Sequence, residues 1–106
     1  MKKYDAVIIG AGPAGIAAAK TFNKNEISFC IIDKNRFPRQ KLCGGGLTNK
    51  SINMLKRLDL KIENISKTPC KNVMIEAKNV KKELELNNSI VMIDRIDFDN
   101  NININN

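Results

Sequence analysis

The sequence predicts an α/β fold: a β-α-β unit at the N-terminus, then a helix and a β-hairpin. Three observations carry this. An apolar, partly β-branched run, Ala6–Ile9, leads straight into the glycine-rich stretch Gly10-Ala11-Gly12-Pro13-Ala14-Gly15. An alanine-rich segment follows, and a second apolar run over residues 28–32 ends on Asp33. Further along, an amphipathic stretch over residues 48–58 precedes strand-like segments separated by Lys78-Asn79.

A short, continuous apolar run is what a parallel strand buried on both faces requires. In the stretch after it, Gly10 permits a tight strand-to-helix turn, Gly12 leaves room for a diphosphate to approach the backbone, and Gly15 lets the helix lie close on the strand. Pro13 has a preset φ and no N–H to lose, which suits a first helical turn. The helix is predicted over Pro13–Lys24. Ala14, Ala17, Ala18 and Ala19 are small enough to lie flat on a sheet, Phe22 anchors the far end, and Asn25 is expected to close the helix in the left-handed conformation. A G-x-G-x-x-G pattern alone is a weak signal. Here it follows a strand, opens a helix and meets an acid 18 residues after Gly15 at a strand end. That is the full context of a Rossmann-type dinucleotide site. Its chemistry is a helix N-terminus offering N–H groups and a positive dipole end to a diphosphate. Asp33 then accepts hydrogen bonds from an adenosine ribose. The competing reading is a buried glycine turn without ligand, with Asp33 an ordinary solvated acid.

Residues 35–46, NRFPRQKLCGGG, form a loop in which Arg36, Arg39 and Lys41 place positive charge beside the expected diphosphate. Gly44, Gly45 and Gly46 let its backbone run close to a planar ligand or another chain segment; taken alone, it also reads as a flexible basic loop. The second helix begins with Thr48 as N-cap, and Leu47 with Ile52 has the spacing of a hydrophobic staple. Ile52, Leu55 and Leu58 form its apolar stripe, bordered by Met54. Residues 59–69 read as a polar connection. Residues 71–77 and 80–86 read as strands around the Lys78-Asn79 turn, with a further strand over residues 89–93. Arg95 then falls at a strand end.

The bulk properties exclude more than they assign. With 106 residues, 42% apolar and 27% charged, the chain has the length and composition of one globular domain. The net charge of +7 suggests a polyanion partner, yet the Lys and Arg residues are scattered, and one Tyr without Trp leaves no stacking platform. Nucleic acid is therefore not an expected partner. The 14 Lys, 15 Asn and 15 Ile all have A/T-rich codons, so genome composition accounts for much of the basicity. Cys30, Cys43 and Cys70 make an odd number with no C-x-x-C pair, and His is absent. This argues against a disulfide framework and a metal site and for a reducing, cytoplasmic setting. Met1-Lys2-Lys3 and the apolar run behind them outline a signal peptide, but Asp5, the glycines and Pro13 cut that run into strand and helix halves. No stretch approaches the ~20 apolar residues of a spanning helix.

With Asp33, the basic loop, Lys41-Leu42-Cys43-Gly44-Gly45-Gly46-Leu47 and Arg95-Ile96-Asp97-Phe98-Asp99 in view, the chain resembles the geranylgeranyl reductase family. These are FAD-dependent enzymes of the p-hydroxybenzoate hydroxylase fold. The resemblance covers residues 4–99, and its most specific part is residues 38–47, because K-x-C-G-G-G-L just after the ribose acid marks that family. It implies FAD as cofactor, with Gly10, Gly12, Ala14 and Gly15 on the pyrophosphate and Asp33 on the adenosine ribose. It places Cys43, Gly44 and Gly46 along the flavin, with the cysteine close to flavin and substrate, and it makes Arg95 a contributor to FAD binding. It assigns no catalytic residue. The implied reaction is hydrogenation of isoprenoid double bonds by reduced flavin, a hydride from N5 going to one carbon and a proton to the other. The substrate is then a prenyl lipid or another small molecule, which is compatible with peripheral membrane contact.

Two departures from the family pattern bear on this. Asp33 is shorter than the glutamate common at that position, though either carboxylate can bind a ribose. The family's second cofactor motif, a Gly-Asp segment, its substrate-binding sheet and its apolar tunnel have no counterpart here. The expected architecture is thus an incomplete domain: residues 1–99 as the N-terminal part of an FAD-binding domain, and residues 100–106, five Asn and two Ile, as a low-complexity tail without a helix-forming pattern. On its own such a chain is expected to be inactive. The alternatives are another reductase, hydroxylase or electron-transfer flavoprotein of the same fold, a non-enzymatic remnant, or a plain NAD-binding module. Gly12-Pro13-Ala14-Gly15 and the C-G-G-G-L loop lean toward FAD.

Overall fold

The computed structural model describes residues 1–104. Strand β1, Ala6–Ile9, and strand β2, Phe29–Ile32, pair in parallel with Ala6 opposite Phe29 and Ile9 opposite Ile32. Helix α1, Pro13–Lys24, connects them and turns Ile16 and Ala19 inward. Ahead of the sheet, Ser28 and Asp5 clasp each other: the Ser28 hydroxyl donates to Asp5 Oδ2 at 2.7 Å and the Asp5 N–H donates to Ser28 Oγ at 3.0 Å. Ser28 therefore pins the entry to the sheet, and β2 starts one residue later than the apolar run predicts.

The second body is an antiparallel sheet in the order β3-β5-β4, built from Gly46–Leu47, Val80–Met92 and Thr68–Ala77. The turn falls at Lys78-Asn79, with Ala77 opposite Val80. Three features differ from the sequence reading. The strands expected over 80–86 and 89–93 are one continuous strand. Between Cys70 opposite Ile90 and Asn72 opposite Glu85 the register shifts, so the Asn87-Asn88 pair that reads as a break sits in a bulge. The first hairpin strand begins at Thr68, inside the expected polar connection, and includes Pro69; β4 is an edge strand, where a missing N–H costs no ladder bond. Finally, the end of the glycine loop forms β3, pairing Gly46 with Met92 and Leu47 with Val91.

Helix α2, Asn49–Arg57, starts as predicted, with the Thr48 side chain accepting from the Ser51 N–H at 3.2 Å. Both α1 and α2 end in the same way, and at α1 this corrects the sequence reading. Asn25 keeps φ −100°, and Glu26 takes the left-handed conformation at φ 56°. The Ile27 N–H reaches the Phe22 carbonyl at 3.0 Å and the Glu26 N–H reaches that of Asn23 at 3.2 Å, a Schellman closure one residue further on. Asp59, φ 53°, closes α2 likewise, with Leu60 N–H on Leu55 O at 2.8 Å. That closure tucks Leu60 into the core beside Leu55, and Ile62 and Ile65 follow it in. The connection read as polar thus supplies one core residue and two half-buried ones packed against it.

The largest departure is helix α3, Arg95–Ile104, which runs through most of the segment expected to lack a helix-forming pattern; residues 105–106 lie outside the described residues. Its start is the Asp94 side chain accepting from the Ile96 N–H at 2.9 Å. Asn is a poor helix former, so packing decides here. Phe98 and Ile102, one turn apart, are 3% and 0% exposed and join Ile16, Leu60 and Ile93 in a single core cluster. On this packing, Ile102→Val is expected to cost about 0.5–1.5 kcal/mol and Ile102→Ala about 2–5 kcal/mol, read from urea unfolding midpoints. An Ile102→Ala chain as stable as the parent would show that α3 does not hold the core.

Candidate functional site

The site forms where β1 and β2 end. The Gly10 N–H donates to the Ile32 carbonyl at 2.7 Å, carrying the ladder one step past the strands, and the chain then turns into α1. The turn is held on both sides of Ala11. Its N–H donates to Asp33 Oδ2 at 2.8 Å, and its carbonyl accepts from Asn103 Nδ2 at 2.6 Å. Gly15 presses on this turn so closely that a Cβ would run into the Gly10 carbonyl oxygen. Gly12 caps α1 with no side chain of its own, so the first-turn N–H groups, which have no partner within a helix, face outward uncapped.

Gly10, Gly12, Pro13, Ala14, Gly15 and Asp33 line one cavity of about 640 Å³, together with Arg39, Lys41 and Arg95. A second, more apolar cavity of about 380 Å³ adjoins it between α1, α2 and α3, with Pro13 and Arg95 common to both. Cys43 and Gly46 line this second cavity, whereas Gly44 lines neither. The structure thus brings Gly10, Gly12, Ala14, Gly15, Asp33 and Arg95 together, puts Cys43 and Gly46 next door, and leaves Gly44 in open space.

Gly45 is the glycine of the loop that cannot be replaced. It has φ 78°, is buried, and a Cβ would strike the Ile93 carbonyl oxygen. The Ile93 N–H donates to its carbonyl at 2.8 Å, and its own N–H donates to Cys43 Sγ at 3.4 Å.

Three ionisable groups of the site are tuned. Asp33 is drawn below its ordinary value, first by the Ala11 N–H and then by that of Asn35, which donates to Oδ1 at 2.8 Å. Each carboxylate oxygen accepts one backbone donor and keeps lone pairs for another. Cys43 is drawn down by the Gly45 N–H and then by Arg95. Arg95 is pushed up, chiefly by its hydrogen bonds to Asp99.

Sequence reasoning counted Arg39 only as loop charge and missed Asp99 and Asn103. Arg39 stacks over Phe37 with its guanidinium carbon 4.5 Å from the ring centre, and a Cβ at position 12 would lie 3.4 Å from its Nη2. Asp99 is fully buried, takes Arg95 Nε at 2.7 Å and Nη2 at 2.9 Å, and pairs with Arg39 Nη1 at 2.7 Å. One signal was available: Arg95 and Asp99 stand four residues apart, a helical ion-pair spacing. The partnership with Arg39 has no local signature.

Comparison with known proteins points to the same cofactor. The FAD binding domain family matches residues 3–100. An uncharacterized protein of Methanosarcina barkeri is 44% identical over 101 residues, covering 93% of this chain and 25% of that protein. The menaquinone reductase of Mycolicibacterium smegmatis is 43% identical over 58 residues, 55% of this chain and 14% of the reductase. The structure of the flavin-dependent brominase Bmp2 superposes with a TM-score of 0.73 at 30% identity, covering 94% of this chain and 26% of the brominase. The chain spans about a quarter or less of the length of each of these proteins. No helix among the described residues is long and apolar enough to cross a membrane.

Two outcomes are expected from the tuned groups. Asp33 has a folded pKa below its unfolded value, so the stability it gives is present above the ordinary carboxylate range and is lost as pH falls through the folded value. Asp5, lowered by its hydrogen bonds with Ser28, acts in the same direction. Unfolding midpoints should therefore drop on acidification below about pH 4, and Asp33→Asn should flatten that limb; an unchanged limb would remove Asp33 as its source. At neutral pH iodoacetamide should label Cys43, which is exposed, ahead of the half-buried Cys30 and Cys70. Arg95→Gln should slow that labelling.

Proposed function

The chain belongs to the FAD binding domain family, and on that premise we propose that it is the FAD-holding N-terminal part of a flavin-dependent oxidoreductase that reduces isoprenoid double bonds. The observation that carries the cofactor assignment is the convergence of the glycine turn, the α1 N-terminus, Asp33 and Arg95 on one cavity at the carboxyl ends of two parallel strands, where open α/β sheets bind nucleotides. The residues fit a dinucleotide. The N–H groups of the first turn of α1 and its dipole would hold the diphosphate at Gly12. Asp33, kept ionised by two backbone donors, accepts from the adenosine ribose hydroxyls. Arg95 stands between the two cavities and Cys43 in the second, so on this reading Cys43 and Gly46 would hold the flavin end of the dinucleotide.

When bound, FAD supplies the hydride transfer. The chain would bind and orient it, with Cys43, whose thiol is drawn below its ordinary value by the Gly45 N–H and Arg95, beside it. The reductive reading rests on the C-G-G-G-L loop and on the likeness to a menaquinone reductase. A prenyl-lipid substrate follows from the same loop and would bring the whole protein to a membrane surface. The likeness to a brominase favours a second reading, in which the flavin reacts with oxygen in a hydroxylase or halogenase of the same fold.

Titration of FAD into the chain should quench flavin fluorescence saturably, and Gly15→Val, which drives side-chain atoms into the Gly10 carbonyl, should abolish it. For the whole protein, anaerobically reduced flavin should be reoxidised by geranylgeranyl diphosphate, with the hydrogenated chain recovered. Reoxidation by oxygen alone, with an aromatic substrate hydroxylated or halogenated, would overturn the reductive reading and leave the cofactor assignment standing.

A further inference from the structure

Asp99 lines neither cavity, yet it is the one charged side chain fully buried among the described residues. Arg95, at the start of α3, holds it side-on through Nε and Nη2. Arg39 reaches it from the loop after β2, with Nη1 2.7 Å from Oδ2. That contact is an ion pair, and the buried Nη1 makes no further hydrogen bond among the described residues. Two guanidinium groups from distant segments would repel each other at this range; a carboxylate between them makes their juxtaposition stable. Both line the glycine-turn cavity. Phe37 fixes the plane of Arg39 from one side, and Gly12 leaves the space that its Nη2 borders.

We propose that Asp99 is a positioning residue for diphosphate recognition: it clamps Arg39 and Arg95 into a preassembled pair on the wall of the glycine-turn cavity, with Arg39 as a diphosphate ligand opposite the α1 N-terminus. This rests on the FAD reading above and adds to it a ligand and the residue that holds it. A diphosphate carries two negative charges, and planar guanidinium forks match its oxygens two at a time. Held in place beforehand, the forks lose little side-chain freedom on binding. Asp99 also reduces the local charge of the pair from two to one, so the arginines stay together before the ligand arrives.

The test is a double-mutant cycle on FAD affinity, read by flavin fluorescence in the 106-residue chain, with ADP as competitor. Asp99→Asn and Arg39→Gln should each weaken FAD at least ~10-fold, and the double variant should be no weaker than Asp99→Asn alone, because without the clamp Arg39 no longer contributes. ADP should lose affinity in parallel with FAD. A folded Asp99→Asn chain with parental affinity, or effects that multiply in the double variant, would overturn the proposal. If Asp99→Asn does not fold by circular dichroism, Arg39→Lys decides, since it keeps the charge and loses the fork: unchanged affinity overturns the proposal, and a ~10-fold loss supports it. If the unsubstituted chain binds neither FAD nor ADP, the cofactor reading and this proposal fall together. Binding that survives all three substitutions removes the proposal alone.

Discussion

The peptide groups of the turn at Ala11 are what the rest of the structure is built around. Their N–H is taken by Asp33 and their carbonyl by Asn103, residues from the end of β2 and the end of α3. Fixing both sides of one residue fixes where α1 begins and where its free N–H groups point. The same two bonds locate the acid of the site and the helix that carries Arg95 and Asp99. Gly15 is needed because the first turn of α1 lies against the Gly10 carbonyl, and any side chain there would lift the helix off the turn. A small deletion of contact at Ala11 would therefore move the helix terminus, the acid and the arginine pair together.

Packing supports this arrangement from one side. Ile16 of α1, Ile93, Leu60 and the Phe98–Ile102 stripe of α3 close over the inner face, and β3 ties the glycine loop to β5 through Leu47 and Val91. The other face of the parallel pair carries Val7, Ile9 and Ile32 at 56%, 84% and 52% exposure. Parallel strands usually bury both faces, so the sheet has an apolar side that the described residues do not cover. The site sits at the strand ends, where the turn, α1 and α3 reinforce one another, and Ile9 and Ile32 of that open face also line its cavity.

Local pattern made the first third of the fold legible. Strand, glycine turn, helix and acid follow each other within 33 residues, and each is specified by its neighbours. The cavity residues Gly10, Gly12, Ala14, Gly15 and Asp33 come from that stretch. What the sequence concealed depends on distant partners. The Asn-rich segment is helical because Phe98 and Ile102 find Ile16 and Leu60, not because its residues favour helix. Glu26 and not Asn25 takes the left-handed turn because the closure also carries Ile27 to the Phe22 carbonyl. Leu60, Ile62 and Ile65 lack helical or strand periodicity, so they read as linker while serving as core. Arg39 reads as a loop charge until Asp99 arrives beside it.

The two buried or tethered acids divide the work of charge at the site. Asp33 and Arg39 line the same cavity and would neutralise each other if they paired, leaving neither for a ligand. The structure prevents that by giving each its own partner. Asp33 is saturated on one lone pair per oxygen by the N–H groups of Ala11 and Asn35, and Arg39 is drawn back by Asp99 and held flat by Phe37. An acid therefore stays at one part of the cavity and a pair of cations at another. A dinucleotide has the same polarity, hydroxyls on its ribose and anionic charge on its diphosphate, so under the proposed function the separation of Asp33 from the arginine pair would set the direction in which it lies.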